Sequence, residues 1–452
     1  MKKILILTVL IITSNLIFAQ VNPKKCITTS IVNKELENNP EYSIMRENLI
    51  NYQKENNQDD YKTQPIITIP VVVHIVHRTQ DNIGSNTNIS NLQIEDQLRI
   101  LNEDFSKTNP EFPNPPRNTF LNYWGNPNIR FCLSTTDPDG NLTTGINRVP
   151  TSKLSWDADD DDEKNYMKLT SQGGIDNWDP LRYLNIWVCN LANSGGGQTL
   201  GYAYLPGIQA SNQNSWKDGL VVDYQYFGTT GSASFSSDGR TPTHEIGHYL
   251  GLSHTFCENG NCCDNDDNFW AGNIEDTPAC YDSDNDGPYF GPVTSITNNN
   301  TCNDLNYSNA FTSNVLDMDE NYMSYASTTW MFSEEQVDVM KGTLNASTGQ
   351  GGRKTLWDNS TVTVNCSGTV DVNQQQLYNL HIFPNPTLGR LNIISADKIN
   401  TISLSNIIGE TVFFTENFTT NSIDLSSLKV GVYFLNIRTD KGTYIKKIIL
   451  SK

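Results

Sequence analysis

The sequence predicts an α+β domain followed by a small β-sandwich. Between about residues 66 and 345, β-rich segments occur among helices with one apolar face, which is typical of a mixed sheet packed against helices. After about residue 345 the composition changes to a linker-like mixture of Gly, Ser, Thr and Asn. From residue 380 onward, short apolar or alternating runs lie between turn residues, and this pattern predicts the sandwich.

Individual elements of the first domain can be placed. The strands of the mixed sheet are predicted at Thr68–His77, Ile129–Thr136, Leu184–Asn190 and Gly219–Phe227. A capping box at Ser90–Gln93 opens one helix, and a second at Ser333–Gln336 opens another. A third helix is expected to begin between Ser237 and Thr241, because Pro242 is tolerated only within a first turn.

Length and charge limit the possible functions. A chain of 452 residues is too long for one ordinary core, so two or three domains are expected. The net charge of −19 argues against a nucleic-acid partner, which would need a basic surface.

Lys2 and Lys3 precede an apolar run, and Ala19 is a plausible cleavage residue, which predicts a signal peptide. No other stretch reaches about 18 apolar residues, so no transmembrane segment is expected in the mature chain.

One short stretch carries most of the functional information. His244, Glu245, His248, Gly251 and His254 fit the pattern H-E-x-x-H-x-x-G-x-x-H at every fixed position. Residues four apart on an α-helix share a face, so the first two histidines can bind one ion, and the glycine can take the positive φ that turns the chain toward the third. Three imidazoles leave a fourth position for water, which predicts a catalytic Zn²⁺ site with the glutamate as base.

An ordinary amphipathic helix with surface histidines is the alternative. It is disfavoured because three of the six histidines in the chain fall within this stretch.

A second motif lies downstream, where Asn321–Tyr325 looks like the Met-turn of metzincins. Together the two motifs resemble the pappalysin-type (cytophagalysin) metzincins. Further segments extend the resemblance, in the right order, over roughly residues 66–345: Ile69–His74, Leu101–Phe105, Ser171–Gly174, Leu184–Asn190 and Glu275–Pro278.

The resemblance implies a metzincin-like catalytic domain, with a mixed twisted sheet, an active-site helix and a Met-turn. It assigns zinc binding to the three histidines of the motif and the general-base role to its glutamate. It also implies that Met323 supports the site and that Tyr325 stabilises the tetrahedral intermediate, because a phenol near zinc can donate a hydrogen bond to a developing oxyanion. For both residues, packing in the core is the alternative.

Nine cysteines in an exported chain predict disulfides. Five crowd into the loop after the histidine motif: Cys257, Cys262, Cys263, Cys280 and Cys302. Cys132 and Cys189 lie in strand-like segments and are either buried thiols or a pair, while Cys366 lies in the linker. Spacing alone does not define the connectivity.

Cys26 is the candidate for the odd cysteine. A thiolate in the polar segment before the first strand could occupy the open zinc position, as in a cysteine switch that keeps a zymogen latent. The resembled family often shows Lys/Arg-Cys-Gly-Thr here, whereas this chain has Lys25-Cys26-Ile27-Thr28. A free or disulfide-bonded cysteine without this role is the alternative.

Acidic residues after the histidine motif suggest a structural Ca²⁺ site. The run that starts at Asp282 repeats the opening of an EF-hand loop, but Val293 stands where the bidentate glutamate would be, so an EF-hand is excluded. The resembled family carries calcium close to its active site. The candidate ligands are Asp264, Asp266, Asp267, Asp276, Asp282, Asp284 and Asp286.

The C-terminal strands carry a second resemblance. The Pro-Asn-Pro turn at residues 384–386, Gly431–Leu435 and the Lys-Lys-Ile-Ile-Leu end resemble the sorting domain of the type IX secretion system. This implies that type IX secretion machinery exports the protein through the periplasm to the cell surface or the medium. A carbohydrate- or protein-binding module of similar fold is the alternative.

These observations divide the chain into five parts: 1–19 the signal peptide, 20–64 a pro-segment, 65–347 the catalytic domain, 348–375 a linker and 376–452 the sorting domain. The predicted function is a secreted zinc-dependent endopeptidase acting on protein or peptide substrates. In metzincins the segment after the Met-turn borders the pocket for the residue that follows the cut. Here residues 326–332 carry no acidic side chain, which predicts an apolar or mixed preference. The alternative function is a surface binding or adhesion protein that retains a structural metal site. Such a site needs a fourth protein ligand, and none is evident in the mature sequence.

Overall fold

The computed structural model describes residues 26–56, 65–195, 198–256, 261–263, 274–281, 299–307, 309–326, 328–359, 361–362, 366, 380–395, 398–406, 410–416, 418, 420, 422–439 and 442–451. The predicted signal peptide lies outside these residues. The chain forms two compact units, Met1–Thr369 and Val370–Lys452. Within the described ranges, no helix is both long and apolar enough to cross a membrane.

The first unit combines helices with a mixed sheet. Its described helices are α1 Thr28–Asn38, α2 Pro40–Glu55, α3 Asn91–Asp104, α4 Thr241–Tyr249 and α5 Glu334–Asn345. Its described strands are β1 Ile67–Arg78, β2 Ile129–Leu133, β3 Ile146–Thr151, β4 Trp156–Asp157, β5 Leu184–Cys189, β6 Leu191–Ala192, β7 Gly201–Ala203 and β8 Leu220–Asp223. The predicted α+β class is confirmed.

The main sheet has the strand order β2-β1-β5-β8-β7, with β3 also paired to β1. Strand β1 runs parallel to β2, β3 and β5, and β8 runs parallel to β5. Only β7 is antiparallel to its neighbour, β8, and it is the last strand on that side of the sheet. The predicted fourth strand ends earlier than expected. The carboxylate of Asp223 accepts the Gln225 N–H and begins a 3₁₀ turn at Tyr224–Tyr226.

Helices α3, α4 and α5 pack with one face of this sheet into a continuous apolar core. The caps differ in detail from the prediction. Ser333 and Gln336 form the expected reciprocal box, whereas at α3 only Ser90 accepts a backbone N–H, from Gln93. The Gln93 side-chain amide donates instead to the carbonyls of Tyr224 and Phe227, because it is buried against that loop. Helix α4 begins at Thr241, within the predicted interval.

The segment predicted as a pro-segment folds as α1 and α2 against the rest of the first unit. The Tyr42 hydroxyl donates to the Leu205 carbonyl at 3.2 Å, and Glu35 pairs with Lys217 at 2.7 Å. Ile31 and Val32 are buried in a cluster that also contains Leu205. These contacts combine apolar burial with hydrogen bonds to backbone carbonyls, so the helices are anchored along the surface beside β7.

Part of the predicted linker also belongs to the first unit. Arg353 is fully buried and forms a two-pronged ion pair with Asp218 at 2.7 and 2.9 Å. A disulfide joins Cys132 to Cys366. The compact unit accordingly extends to Thr369, beyond the boundary at residue 347 that composition suggested.

The predicted disulfides are confirmed in two described pairs, Cys132–Cys366 and Cys262–Cys302. The sequence left Cys132 and Cys189 open as a pair or as separate thiols. Cys189 is a buried thiol, and burial raises its pKa well above the usual value. A buried thiol of this kind behaves as a small apolar side chain.

The second unit consists of antiparallel strands in two sheets around one core. One sheet contains β9 Leu380–Phe383, β10 Arg390–Ser395 and β13 Ser422–Asp424, in the order β13-β10-β9. The other contains β11 Ile399–Asn406, β12 Thr411–Glu416, β14 Gly431–Thr439 and β15 Gly442–Leu450, in the order β12-β11-β14-β15. Leu391 and Ile393 from the first sheet and Leu435 and Ile437 from the second share this core. The predicted β-sandwich is confirmed.

Candidate active site

Helix α4 and the turn after it bring three histidines together. His244 and His248 lie one turn apart, and the helix ends at Tyr249. Gly251 then adopts a φ of +107°, a left-handed conformation that favours glycine and reverses the chain toward His254. The Nε2 atoms of the three histidines are 3.1–3.2 Å apart, and all three side chains are buried.

Backbone carbonyls fix the protons of two of these imidazoles. Nδ1 of His244 lies 2.7 Å from the Tyr322 carbonyl oxygen, and Nδ1 of His248 lies 2.8 Å from that of Leu252. A carbonyl only accepts, so each Nδ1 carries the proton and each Nε2 presents its lone pair. Lone pairs that converge in this way repel one another unless a cation lies between them. Tetrahedral ligands at about 2.0–2.1 Å from an ion are about 3.3 Å apart, so the donor set fits a metal ion.

Glu245 points from the same helix toward the edge strand β7. Its carboxylate is fully buried, and this burial raises its pKa to about 8. Hydrogen bonds from Cys26 and Thr28 favour the charged form and act in the opposite direction, but their effect is smaller. A Cβ atom on Gly201 of β7 would lie 3.1 Å from the Glu245 Cγ atom. Glycine at this position therefore allows the strand to pass close to the carboxylate.

The Met-turn lies beneath α4. Met323 is fully buried, and a Cβ atom on Gly247 would lie only 2.3 Å from its Sδ atom. The turn is held from the other side by α5, because Asn321 exchanges hydrogen bonds with Gln336 at 2.8 and 3.1 Å. Met323 thus supports the helix that carries the histidines by direct contact.

Tyr325 follows the Met-turn and lies beside the histidines. Its ring centroid is 4.8 Å from that of His254 and 5.8 Å from that of His244. Its hydroxyl donates to the Cys26 carbonyl oxygen at 3.3 Å. The phenol is therefore within reach of a carbonyl group bound next to the histidines.

Cys26 reaches the same place from the start of the described chain. Its Sγ atom lies 3.6 Å from Nε2 of His248 and 3.5 Å from Oε2 of Glu245. This sulfur and the ligand atoms of the three histidines all lie within 4.8 Å of one another. The Cys26 backbone also forms a parallel bridge with Gly201 of the edge strand.

His244, Glu245 and Tyr325 are among the residues that line a cavity of about 280 Å³. The lining includes Ala326 and Thr329, from the segment that the sequence indicated, and Ser324 of the Met-turn motif. The lining also contains Asp238 and Arg240, which precede α4 and were not predicted. Arg240 is balanced by Glu111, through contacts of 2.8 and 3.0 Å.

The proposed calcium ligands are not brought together by any described contact. Of the seven candidates, only Asp276 lies within the described residues. Its carboxylate accepts the Ser333 hydroxyl at 2.6 Å and the Glu335 N–H at 3.0 Å, so it stabilises the start of α5. Burial raises its pKa to about 7.

Sequence reasoning missed two further residues beside the site. The Thr28 hydroxyl donates to Glu245 at 3.3 Å and accepts the Ala203 N–H at 3.0 Å, which links the carboxylate to the edge strand. Asp104 accepts hydroxyl groups from both Tyr322 and Thr243. Asp104 lies in one of the segments that carried the family resemblance, but the sequence did not indicate which residues of that segment are buried against the site.

Sequence comparisons agree with this geometry. A family model described as Pregnancy-associated plasma protein-A matches residues 170–345, and one described as Secretion system C-terminal sorting domain matches residues 381–451. An extracellular metalloprotease of Arthroderma gypseum is 27% identical over 213 residues, which are 47% of this chain and 55% of that protein. A protein of the same name from Pyricularia oryzae is 28% identical over 218 residues, 48% of this chain and 58% of that protein. The chain thus spans little more than half the length of these curated relatives.

Solved structures cover more of the chain. Mature mirolysin of Tannerella forsythia, in complex with a cleaved peptide, is 36% identical with a TM-score of 0.51, and the match covers 65% of this chain and 97% of that chain. A promirolysin mutant from the same organism is 32% identical with a TM-score of 0.56, and the match covers 74% of this chain and 97% of that chain. The larger coverage by the precursor form agrees with a zymogen.

None of these similarities favours the adhesion alternative. The sorting domain and the extracellular relatives indicate a secreted or cell-surface protein. The extent and identity of the match to mirolysin, together with the family model, establish the relationship. The chain belongs to the pappalysin family of metalloendopeptidases and carries a C-terminal type IX sorting domain.

Proposed function

We propose that this protein is a secreted zinc-dependent endopeptidase that is made as a latent precursor. The observation that carries the proposal is the convergence of three buried Nε2 atoms, 3.1–3.2 Å apart, next to a buried glutamate that lines a cavity together with His244. In this proposal His244, His248 and His254 hold Zn²⁺. The ion, when bound, polarises the scissile carbonyl and acidifies a water molecule.

The remaining steps belong to side chains of this chain. Glu245 takes the proton of the attacking water and passes it to the leaving amine. Its position supports this role, because its buried carboxylate extends from the same helix that carries His244 and His248. The Tyr325 hydroxyl donates a hydrogen bond to the carbonyl oxygen as negative charge develops there. Its contact with the Cys26 carbonyl at 3.3 Å supports this assignment.

Latency is assigned to the segment that contains α1 and α2. Cys26 supplies a thiolate as fourth zinc ligand, and its Sγ atom already lies 3.6 Å from Nε2 of His248. Thr28 adds a second block by bonding Glu245 and the edge strand at once. The absence of glycine at residue 27 does not prevent this arrangement, since Ile27 packs into the apolar cluster beside β7.

The zinc mechanism is tested with the matured enzyme on casein, with and without a zinc chelator. Glu245→Gln should abolish cleavage but retain one zinc per chain, because only the base is lost. His254→Ala should lose both zinc and activity, whereas His77→Gln serves as the matched control and should keep both. Cleavage by Glu245→Gln at the wild-type rate would refute the assigned base, and zinc retention by His254→Ala would refute the assigned ligands.

Latency is tested in the full-length precursor. Cys26→Ala should raise its peptidase activity above that of the wild-type precursor, because the fourth zinc position opens to water. Cys189→Ala, which also removes a buried thiol but lies in β5, should leave the precursor latent. If Cys26→Ala stays as inactive as the wild-type precursor while its matured form cuts casein, Cys26 is not the switch.

Three further assignments concern export, calcium and substrate preference. We propose that type IX secretion machinery recognises the C-terminal unit, so deletion of residues 381–451 should retain the protein in the periplasm. A structural Ca²⁺ ion among the acidic residues after the histidine motif stays a prediction. If such an ion is bound, added Ca²⁺ should raise the unfolding temperature of the chelator-treated protein. The apolar or mixed preference after the cut also stays a prediction, to be measured with a peptide library.

A further inference from the structure

Three separate segments meet at the carboxylate of Asp104, the last residue of α3. Its Oδ1 atom accepts the Tyr322 hydroxyl and its Oδ2 atom accepts the Thr243 hydroxyl, each at 2.7 Å. The side chain is 2% exposed, so both bonds are made away from water. Hydrogen bonds to a buried charged group are the strong ones and fix geometry closely.

Both partners of Asp104 lie next to a residue of the proposed zinc site. Thr243 directly precedes His244 in α4, and Tyr322 directly precedes Met323 in the Met-turn. The backbone carbonyl of Tyr322 also accepts the Nδ1 proton of His244 at 2.7 Å. One carboxylate therefore binds both the residue before His244 and the residue whose carbonyl accepts the proton of the His244 ring.

The charge of Asp104 is balanced locally. Arg240, the residue directly before α4, places its Nη2 atom 3.6 Å from the carboxylate and also contacts Glu111 at 2.8 Å. The guanidinium lies 5.6 Å from the centre of the Tyr322 ring. These contacts hold Tyr322 between a carboxylate and a cation, which leaves its side chain little freedom to rotate.

We propose that Asp104 is a positioning residue for zinc: through Tyr322 and Thr243 it sets the orientation of His244 and thereby the affinity of the three histidines for the ion. The proposal rests on the proposed function, because it takes the three histidines to be the zinc ligands. Groups that orient ligands in this way commonly change metal affinity by roughly 10- to 100-fold when removed. A carboxylate that only joined three segments would change stability without changing zinc affinity.

The test measures zinc affinity of the full-length chain by competition with a chelator. Asp104→Asn should weaken zinc binding by roughly 10- to 100-fold. Tyr322→Phe removes the hydroxyl but keeps the carbonyl, so it should weaken binding in the same direction and by less. The visible absorption of the cobalt-substituted protein should change in both variants, since it reports the geometry of the ligands directly.

Asp81→Asn is the matched control. Asp81 is also buried, accepts a threonine hydroxyl from Thr87 at 2.6 Å and pairs with Arg78 at 3.1 Å, but it lies beyond the end of β1. The Asp81→Asn substitution should lower the unfolding temperature of the protein but leave its zinc affinity and the spectrum of its cobalt form unchanged.

The outcomes separate this inference from the proposed function. If the wild-type chain binds no zinc, the proposed function fails and the ligand assignment with it. If wild type binds zinc and both Asp104→Asn and Tyr322→Phe bind it equally tightly, the positioning role is wrong, whatever happens to stability. Should Asp104→Asn fail to fold, Tyr322→Phe decides alone, because it keeps the carboxylate, the Arg240 pair and the carbonyl to His244.

Discussion

Replacing Gly247 by alanine should force the active-site helix and the Met-turn apart. The new Cβ atom would lie 2.3 Å from the Met323 Sδ atom, whereas non-bonded heavy atoms approach comfortably only to about 3.5 Å. One of the two must therefore move by more than about 1 Å. Overpacking of this kind costs about 1–3 kcal/mol. Alanine in a helix interior contributes about 1 kcal/mol in the opposite direction, because it is the better helix former. A net loss of up to about 2 kcal/mol in the free energy of unfolding is expected.

Denaturant unfolding followed by tryptophan fluorescence measures this loss in the first unit, because all eight tryptophans precede residue 369. The control is Gly349→Ala, where a Cβ atom meets nothing within 4 Å. Its effect should stay within about 0.5 kcal/mol, as for most surface substitutions.

A double variant decides whether the clash is the cause. In a Met323→Ala background the sulfur is absent, so Gly247→Ala should become neutral or stabilising by up to about 1 kcal/mol. The reasoning is refuted if Gly247→Ala destabilises both backgrounds equally, or if it stabilises the wild-type protein.

Three further predictions concern stability. Burial lowers the pKa of His74 to about 4, so below its ordinary pKa of 6.5 the unfolded chain takes up a proton that the folded chain does not. The stability that neutral His74 contributes should therefore disappear between about pH 6.5 and 4, and the gap in unfolding free energy between wild type and His74→Gln should narrow over that range. Arg353→Met leaves Asp218 buried without its ion-pair partner and should lower the free energy of unfolding, measured in urea, by about 3–5 kcal/mol. The double variant Arg353→Met/Asp218→Asn should lose less, because no unpaired charge remains buried. Cys366→Ser removes the disulfide to Cys132, 234 residues away, and should lower the unfolding temperature. The loss in free energy of unfolding should not exceed about 5 kcal/mol. A reducing agent should lower the unfolding temperature of this variant less than that of the wild type.

Features that depend on local spacing were predictable from the sequence. The four-residue interval between His244 and His248 implies a shared helix face, and Gly251 marks the turn that follows, because helix periodicity and left-handed φ are properties of a few consecutive residues. Strands β1, β2, β5 and β8 of the mixed sheet were likewise visible as apolar or alternating runs. Strands β3 and β7 were not, since most β3 positions are only partly buried and the three residues of β7 contain too little pattern.

Contacts between distant parts of the chain were decided only by the tertiary structure. Cys26 lies 219 residues from Glu245 and could be named as a candidate, but only packing of α1 and α2 beside β7 brings its sulfur to the histidines. The meeting of Asp104 with Tyr322 spans 218 residues, and the partner of Cys132 could not be chosen from spacing. The sequence by itself determined which side chains can do the chemistry. The residues that surround and orient those side chains depended on how helices, sheet and loops pack. Burial and hydrogen bonding over such separations are properties of the folded chain and not of any local pattern.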